Sequence, residues 1–404
     1  MSELVLRAEA KHRLDERFRA IFGTDPQRYF SAPGRTEICG NHTDHQRGRV
    51  LAGAVDLDTV AAVRLNGTRQ IRIQSQGYPM SIVSLEDLTP QKSEVNSTPA
   101  LIRGVAARFV QLGCDVQGFD AYCESTVLPG SGLSSSAAYE VLIGTICNCL
   151  FFGGKLSAVE VAQVGQYAEN VFFGKPCGLM DQMASSVGGM VYIDFREPTA
   201  PEVVKLDFDF ASSGHSLCII DTGADHADLT DEYAAVTGEL KELCAAFGED
   251  QLRSVNKGDF YNQITELRQR VGDRGVMRAI HVYDENQRVR HMRAALEAGD
   301  FDTFLSIITE SGLSSWRLLQ NVIPAGRTAK QEVAFALVLA EKLLNGRGAC
   351  RVHGGGFAGT IQAFVPNDLL DEFKSGIESV LGAGKCYVLT IRSQGGVEMT
   401  PESC

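Results

Sequence analysis

Positive charge is scarce in this sequence: 38 Lys and Arg stand against 50 Asp and Glu over 404 residues, a formal net charge of −12. Such a chain lacks the basic footprint that sequence-independent nucleic-acid binding requires. Local arginines and backbone amides can still hold one anionic ligand. Long apolar runs are also missing. No stretch approaches the ~20 apolar residues of a membrane span. Residues 1–22 mix charge throughout and do not read as a secretory leader. The eleven cysteines contain no CxxC pair, which argues against a zinc site or disulfide framework and for free thiols buried in a reducing cytoplasm. No Gly-Lys-Ser/Thr occurs, so a Walker A loop is excluded. Tryptophan is reduced to Trp316 alone.

What is present is an ordinary globular composition, 44% hydrophobic and 22% charged, on a chain long enough for two cores. Leu14, Phe18, Ile21 and Phe22 share a helical face that Gly23 ends. A Pro/Gly-punctuated stretch runs from Pro33 to Gly48, followed by an apolar run from Val50 to Val63 that suits a buried strand. Residues 70–75 and 119–127 alternate as strands do, and helical patterns occupy 99–112, 134–150 and 157–172. Short strands are predicted at Met190–Asp194 and Leu217–Asp221. From about residue 225 to 344 the chain is mostly helix-forming. Strand candidates 349–352 and 360–365 then flank a triple glycine, and a helix near 367–381 and a strand near 386–392 close the sequence. Segregated strands and helices indicate an α+β fold of two lobes. The division falls near residue 195, giving an N-terminal domain 1–195 and a C-terminal domain 196–404.

The most informative segment is Leu128-Pro-Gly-Ser-Gly-Leu-Ser-Ser-Ser-Ala-Ala138, between an alternating strand and a helical run. Glycines let backbone approach a ligand closely. Serines at a helix start place hydroxyls beside unpaired N–H groups and the positive end of the helix dipole, a setting that favours phosphate. A serine N-cap on an ordinary loop is the plainer alternative. Farther on, Glu169 ends a helical run and Asp181 follows a Gly/Pro-broken turn. Alone, the first reads equally as a solvated helix face and the second as an N-cap.

Three ordered motifs carry a family resemblance. Pro129-x-x-Gly132-Leu-Ser-Ser-Ser-Ala-Ala138 resembles the phosphate-binding motif of the GHMP small-molecule kinases. Ser31-Ala-Pro-Gly-Arg-Thr-Glu-Ile-Cys-Gly-Asn-His-Thr-Asp-His45 resembles the sugar signature of the galactokinases within that family, and Val352-His-Gly-Gly-Gly-Phe-Ala-Gly359 resembles its glycine-rich third motif. The resemblance spans nearly the whole chain. It implies a two-lobed GHMP-kinase-like fold with the active site in the interdomain cleft, and an ATP- and Mg²⁺-dependent kinase acting on the C1 hydroxyl of galactose. Pro129, Gly130, Ser131, Gly132, Leu133, Ser134, Ser135, Ser136 and Ala137 would cradle ATP. Ser136 and Glu169 would hold Mg²⁺. Asp181 and Arg35 would be catalytic, with Asp181 either a general base or a positioning group. Glu37, Asn41, His42, Asp44, Gly178 and Tyr233 would meet the sugar.

Several positions depart from the family pattern. Glu37, Asn41 and His45 replace Asn, Glu and Tyr, and the family's glutamate at the position of Asn41 contacts the C6 hydroxyl. An amide there removes a charge that would repel a C6 acid, so galacturonate or another galacto-configured hexose is the alternative acceptor. A sugar sensor that binds without catalysis is a third reading, opposed by the intact Ser134–Ala138 segment. Thr98 stands near the place of a family tryptophan beside adenine, leaving other apolar side chains to hold the base. His353 is expected to be a loop histidine making one hydrogen bond. The expected partners are a small sugar and ATP, with no nucleic acid and no membrane, for a cytoplasmic monomer or weak homo-oligomer.

Overall fold

The computed structural model describes residues 4–127, 132–175, 177–224 and 229–402. The first part of the chain runs β1 (Val5–Leu6), α1 (Ala8–Phe22), β2 (Arg28–Cys39), β3 (Arg49–Leu65), β4 (Gln70–Ser75), β5 (Ser81–Ser84), α2 (Thr98–Gln111) and β6 (Phe119–Ser125). It continues through α3 (Ser135–Phe151), α4 (Ala158–Tyr167), α5 (Met180–Val187), β7 (Met190–Asp194) and β8 (Glu202–Leu206). Next come β9 (His215–Ala224), α6 (Thr230–Ala245), α7 (Lys257–Asn262), α8 (Ile264–Glu297), α9 (Phe301–Ser314) and α10 (Glu332–Leu344). The last elements are β10 (Ala349–Val352), β11 (Gly359–Pro366), α11 (Leu370–Leu381), β12 (Cys386–Leu389) and β13 (Val397–Pro401).

Two sheets organise these elements. The nine-stranded one has the order β1-β13-β2-β3-β6-β4-β5, with β7 and β8 continuing from β3. The four-stranded one is antiparallel in the order β10-β11-β9-β12. Strand β3 is long enough to serve two neighbours on one edge: Arg49–Gly53 pair with β7 and Thr59–Leu65 with β6. Helices α2 and α3 cover the first sheet through Ile102, Val105, Phe109, Leu142 and Ile146. A second core joins the halves, running from Ile38 and Leu51 to Leu217, Ile219 and Phe364 with Val289 and Met292 of α8 between. This continuous apolar contact fixes the two sheets against each other and so fixes the groove between them.

Most predicted elements appear, and the differences have physical causes. The stretch from Pro33 is largely strand rather than loop, because β2 tolerates its proline at a break in register between Pro33 and Arg35. Gly34, at that break, leaves little room for a side chain: a Cβ would sit 3.0 Å from the Leu133 carbonyl and 3.1 Å from Val127. The helix expected over 157–172 ends at Tyr167 and passes into a π-helical turn, Ala168–Phe173. The chain does not close on the strand near 386–392. It returns to the first sheet as β13, between β1 and β2. Among the described residues no helix is long and apolar enough to cross a membrane, and ten cysteines are free.

Candidate active site

Strand β2 and the start of α5 bring the proposed catalytic pair together. Arg35 Nε donates to Asp181 Oδ1 at 2.7 Å, and Nη2 donates to Oδ2 at 2.6 Å. The third guanidinium nitrogen donates to the Gly132 carbonyl. Ser134 Oγ donates to Asp181 Oδ2 at 2.7 Å. Burial opposes ionisation of Asp181, but the Arg35 charge and these hydrogen bonds outweigh it and hold the carboxyl below its ordinary value.

Because Ser134 spends its hydroxyl on Asp181, it makes no side-chain cap on α3. It adopts a left-handed backbone instead, with φ of 57°. Among the described residues no side chain caps the first N–H groups of α3, which leaves them available to a phosphate. Gly132 (φ 74°), Leu133, Ser135, Ser136 and Ala137 follow this turn. Pro129, Gly130 and Ser131 lie outside the described residues. Beside the turn opens a cavity of about 610 Å³ whose walls include Ser135, Ser136, Tyr139, Pro99, Tyr78 and Met80, a volume suited to a nucleotide-sized ligand. Thr98 lines it too, and Pro99, Tyr78 and Met80 are among the other side chains that supply apolar surface where the family pattern has a tryptophan.

The acidic side of the phosphate turn is a buried cluster. Gln182, the neighbour of Asp181, donates its amide to Glu169 Oε2 and to Glu140 Oε2, each at 2.9 Å. Glu140 lies one helical turn beyond Ser136 on α3, so both project from the same face, and Gln182 thereby draws Glu169 toward that face. The other Glu169 oxygen has a contact to Lys175 at 3.9 Å. Burial, then the Glu169 charge, pushes the Glu140 carboxyl well above its ordinary value. A carboxylate oxygen and a half-buried hydroxyl are hard donors of the kind Mg²⁺ accepts alongside phosphates, so Glu169 and Ser136 fit that ion.

The sugar signature and Tyr233 of α6 meet the third motif through the carbonyls of three successive glycines. Asn41 Nδ2 donates to Gly354 O at 2.5 Å, His42 Nε2 to Gly355 O at 2.9 Å, and Tyr233 Oη to Gly356 O at 2.7 Å. Gly355 has no space for a side chain, since a Cβ would lie 2.7 Å from the Tyr233 ring. Asp44 accepts from the His45 amide at 2.8 Å, and its Oδ2 packs directly on Gly178. Asp44 is near enough to Arg35 to help hold the guanidinium charged, behind Asp181 and Glu37 and against the cost of burial. The sugar signature and the catalytic pair thus share one electrostatic site.

Two sugar-contact candidates turn inward instead. Asn41 is fully buried. Its amide donates also to Glu37 Oε1 at 3.1 Å, and its oxygen accepts from Asn321 at 2.8 Å and Ser315 at 3.3 Å. That uses the hydrogen-bonding capacity of a carboxamide. Glu37 pairs with the buried Arg351 at 3.0 Å. His353 makes more than the single bond expected of it: Thr360 Oγ1 lies at 2.9 Å and Thr36 Oγ1 at 3.1 Å. Burial, then Arg35 and Arg351, lowers its pKa to about 3, so it joins β2 to the third motif as a neutral ring. Gln182, Glu140, Arg351 and Asn321 were not anticipated. Of these only Gln182 had a signal, its place beside Asp181.

Comparisons with known proteins identify the family. Residues 16–65 match the galactokinase galactose-binding signature, and residues 100–189 match the GHMP kinases N terminal domain. A galactokinase of Streptomyces coelicolor is 31% identical over 91% of this chain and 92% of its own. One from Glaesserella parasuis is 32% identical over 88% of this chain and 90% of its own. The crystal structure of Lactococcus lactis galactokinase complexed with galactose superposes with a TM-score of 0.80 at 25% identity, covering 96% of this chain and 99% of that one. A mevalonate kinase structure shares the fold at a TM-score of 0.63 and 13% identity, over 91% and 100% of the two chains. Matching over nearly its full length in sequence and fold, with the sugar signature and the phosphate turn meeting at one site, the chain belongs to the galactokinase family of the GHMP kinases.

Proposed function

We propose that the chain transfers the γ-phosphoryl group of ATP to the C1 hydroxyl of α-D-galactose, giving galactose 1-phosphate and ADP. The observation that carries this reading is the Arg35–Asp181 pair, anchored by Ser134 at the head of α3, with Asp44, packed on Gly178, within electrostatic reach of Arg35. ATP lies with its base in the cavity beside Tyr78 and Pro99 and its phosphates on the α3 N-terminus. Ser136 and Glu169 would hold Mg²⁺, which when bound would neutralise phosphate charge. Gln182 keeps Glu169 turned toward α3.

Asp181 orients the C1 hydroxyl for in-line attack. Its two oxygens already accept from Arg35 and Ser134, which makes it a weak base. A loose phosphoryl-transfer transition state asks little of a base and much of positioning and charge. Arg35 stabilises charge on the moving group. Asp44 accepts from the C3 and C4 hydroxyls, and His42, Tyr233 and the backbone at Gly178 close the pocket. Asn41 supports the pocket from behind, so the case for a C6 acid as substrate loses its footing. Residues 1–195 supply most of one lobe and 196–404 most of the other, with β8 and β13 of the second part pairing back into the first sheet. The protein works in the cytoplasm, a reading that its buried thiols support, and as a monomer or weak homo-oligomer. Coupled ADP release over galactose, galacturonate, glucose and talose tests the assignment. Galactose should give the highest kcat/KM, and a preference for galacturonate would overturn it.

A further inference from the structure

The loop that carries His42 and Asp44 is held from behind by one helix. Glu285 of α8 has no exposure to solvent. Its Oε1 accepts from the backbone N–H of Gly40 at 3.1 Å and of Asn41 at 3.3 Å, from the Cys39 thiol at 3.3 Å, and from Ser311 Oγ at 2.6 Å. Its Oε2 accepts from Arg288 Nε at 2.6 Å. One turn earlier, His281 donates through Nε2 to the Asn41 carbonyl at 3.0 Å, while its Nδ1 accepts from Ser314 at 2.9 Å. The next residue, Asn286, accepts from the Arg49 amide at 2.7 Å, at the far end of the loop.

The loop needs such support. Gly40 has φ of 109°, and a Cβ there would meet the Arg49 carbonyl at 2.6 Å. His42 holds φ of 58°, a conformation that a non-glycine residue keeps only when its surroundings impose it. A single ionised carboxylate accepting two consecutive amides fixes both peptide planes, and charge-assisted bonds of this kind are stronger than neutral ones. Burial works against the Glu285 charge, but the Arg288 and Arg351 charges and the Ser311 hydrogen bond reverse the effect and hold the carboxyl below its ordinary value.

We propose that Glu285 is a positioning residue for sugar recognition: from α8 it fixes the backbone of Cys39–Asn41, and through it the placement of His42 and Asp44, without touching substrate. The proposal rests on the reading that this loop binds the sugar. In consequence, galactose affinity depends on how α8 seats against β2, while nucleotide affinity, set by α2, α3 and the turn that precedes α3, does not.

The test compares Glu285→Gln with the parent protein by steady-state kinetics in each substrate and by calorimetric titration with galactose alone. A glutamine keeps the size but weakens a charge-assisted anchor, so galactose KM and Kd should rise about tenfold to hundredfold, with ATP KM within twofold. Ser311→Ala, which removes one donor and leaves the charge, should shift galactose in the same direction by about threefold, and it serves if the glutamine variant fails to fold. A merely structural role would lower the melting temperature while leaving both KM values unchanged or raising them equally, and either result overturns the proposal. Asp44→Ala runs beside these variants. If galactose KM is unaltered there, the sugar-site reading itself falls and takes this role with it.

Discussion

Replacing Asp181 by Asn changes one atom and two balances. Arg35 loses a carboxylate that met it through two nitrogens at 2.7 and 2.6 Å, and an amide N–H must face either the guanidinium or Ser134 Oγ. Arg35 is only 9% exposed in its side chain, so the substitution strands a buried cation. Removing one partner of a buried pair costs about 3–5 kcal/mol. The lower figure applies, because Glu37 and Asp44 still offset the charge and Asp181 itself is 31% exposed. At ~2 °C or less per kcal/mol for a long chain, the melting temperature should drop by at most ~6 °C. Loss of the group that orients the attacking hydroxyl should cut kcat by about 10²–10⁴. Coupled ADP release and thermal unfolding measure the two effects separately. Turnover within tenfold of the parent would refute the role of Asp181.

The remaining predictions follow from neighbouring contacts. Asp181 has a depressed folded-state pKa, so the stability its pairing confers is fully present above its unfolded value of ~3.9 and is lost as pH falls through the lower folded value. The kcat/KM profile should therefore show no acid limb from Asp181 above pH ~4, and a limb near pH 6 that vanishes in Asp181→Asn would contradict this. Gly178→Ala would push a methyl into Asp44 Oδ2 and should raise galactose KM by about tenfold or more with ATP KM unchanged; an unchanged galactose KM would count against the contact. Gln182→Met removes the amide shared by Glu169 and Glu140. Mn²⁺ binding followed by electron paramagnetic resonance should weaken by about tenfold, whereas equal binding would separate Gln182 from the metal ligand.

What could be read from the chain is what local chemistry encodes. Gly132 to Ala138 announced a phosphate turn because a helix start, glycine and hydroxyls are contiguous. Asp181 and Arg35 became a pair only by resemblance, since 146 residues separate them. Strand β2 was obscured by Pro33 and Gly34, whose presence there depends on a register break and on the Leu133 carbonyl pressing from another segment. Asn41 shows the same limit. Its position in the signature suggested a sugar contact, but Asn321 and Ser315, more than 270 residues away, decide where its amide points. Glu285 had no local signal at all, because its partners are backbone amides in a loop that helix periodicity cannot announce.

The central claim is transfer to the anomeric oxygen of galactose. Phosphorus NMR of a reaction containing the chain, ATP, Mg²⁺ and ¹³C1-labelled galactose observes it directly. The account predicts one product whose phosphorus couples to the labelled C1, with ADP formed in equal amount. Phosphorus attached at C6, or ATP left intact with galactose while another sugar is phosphorylated, would contradict it.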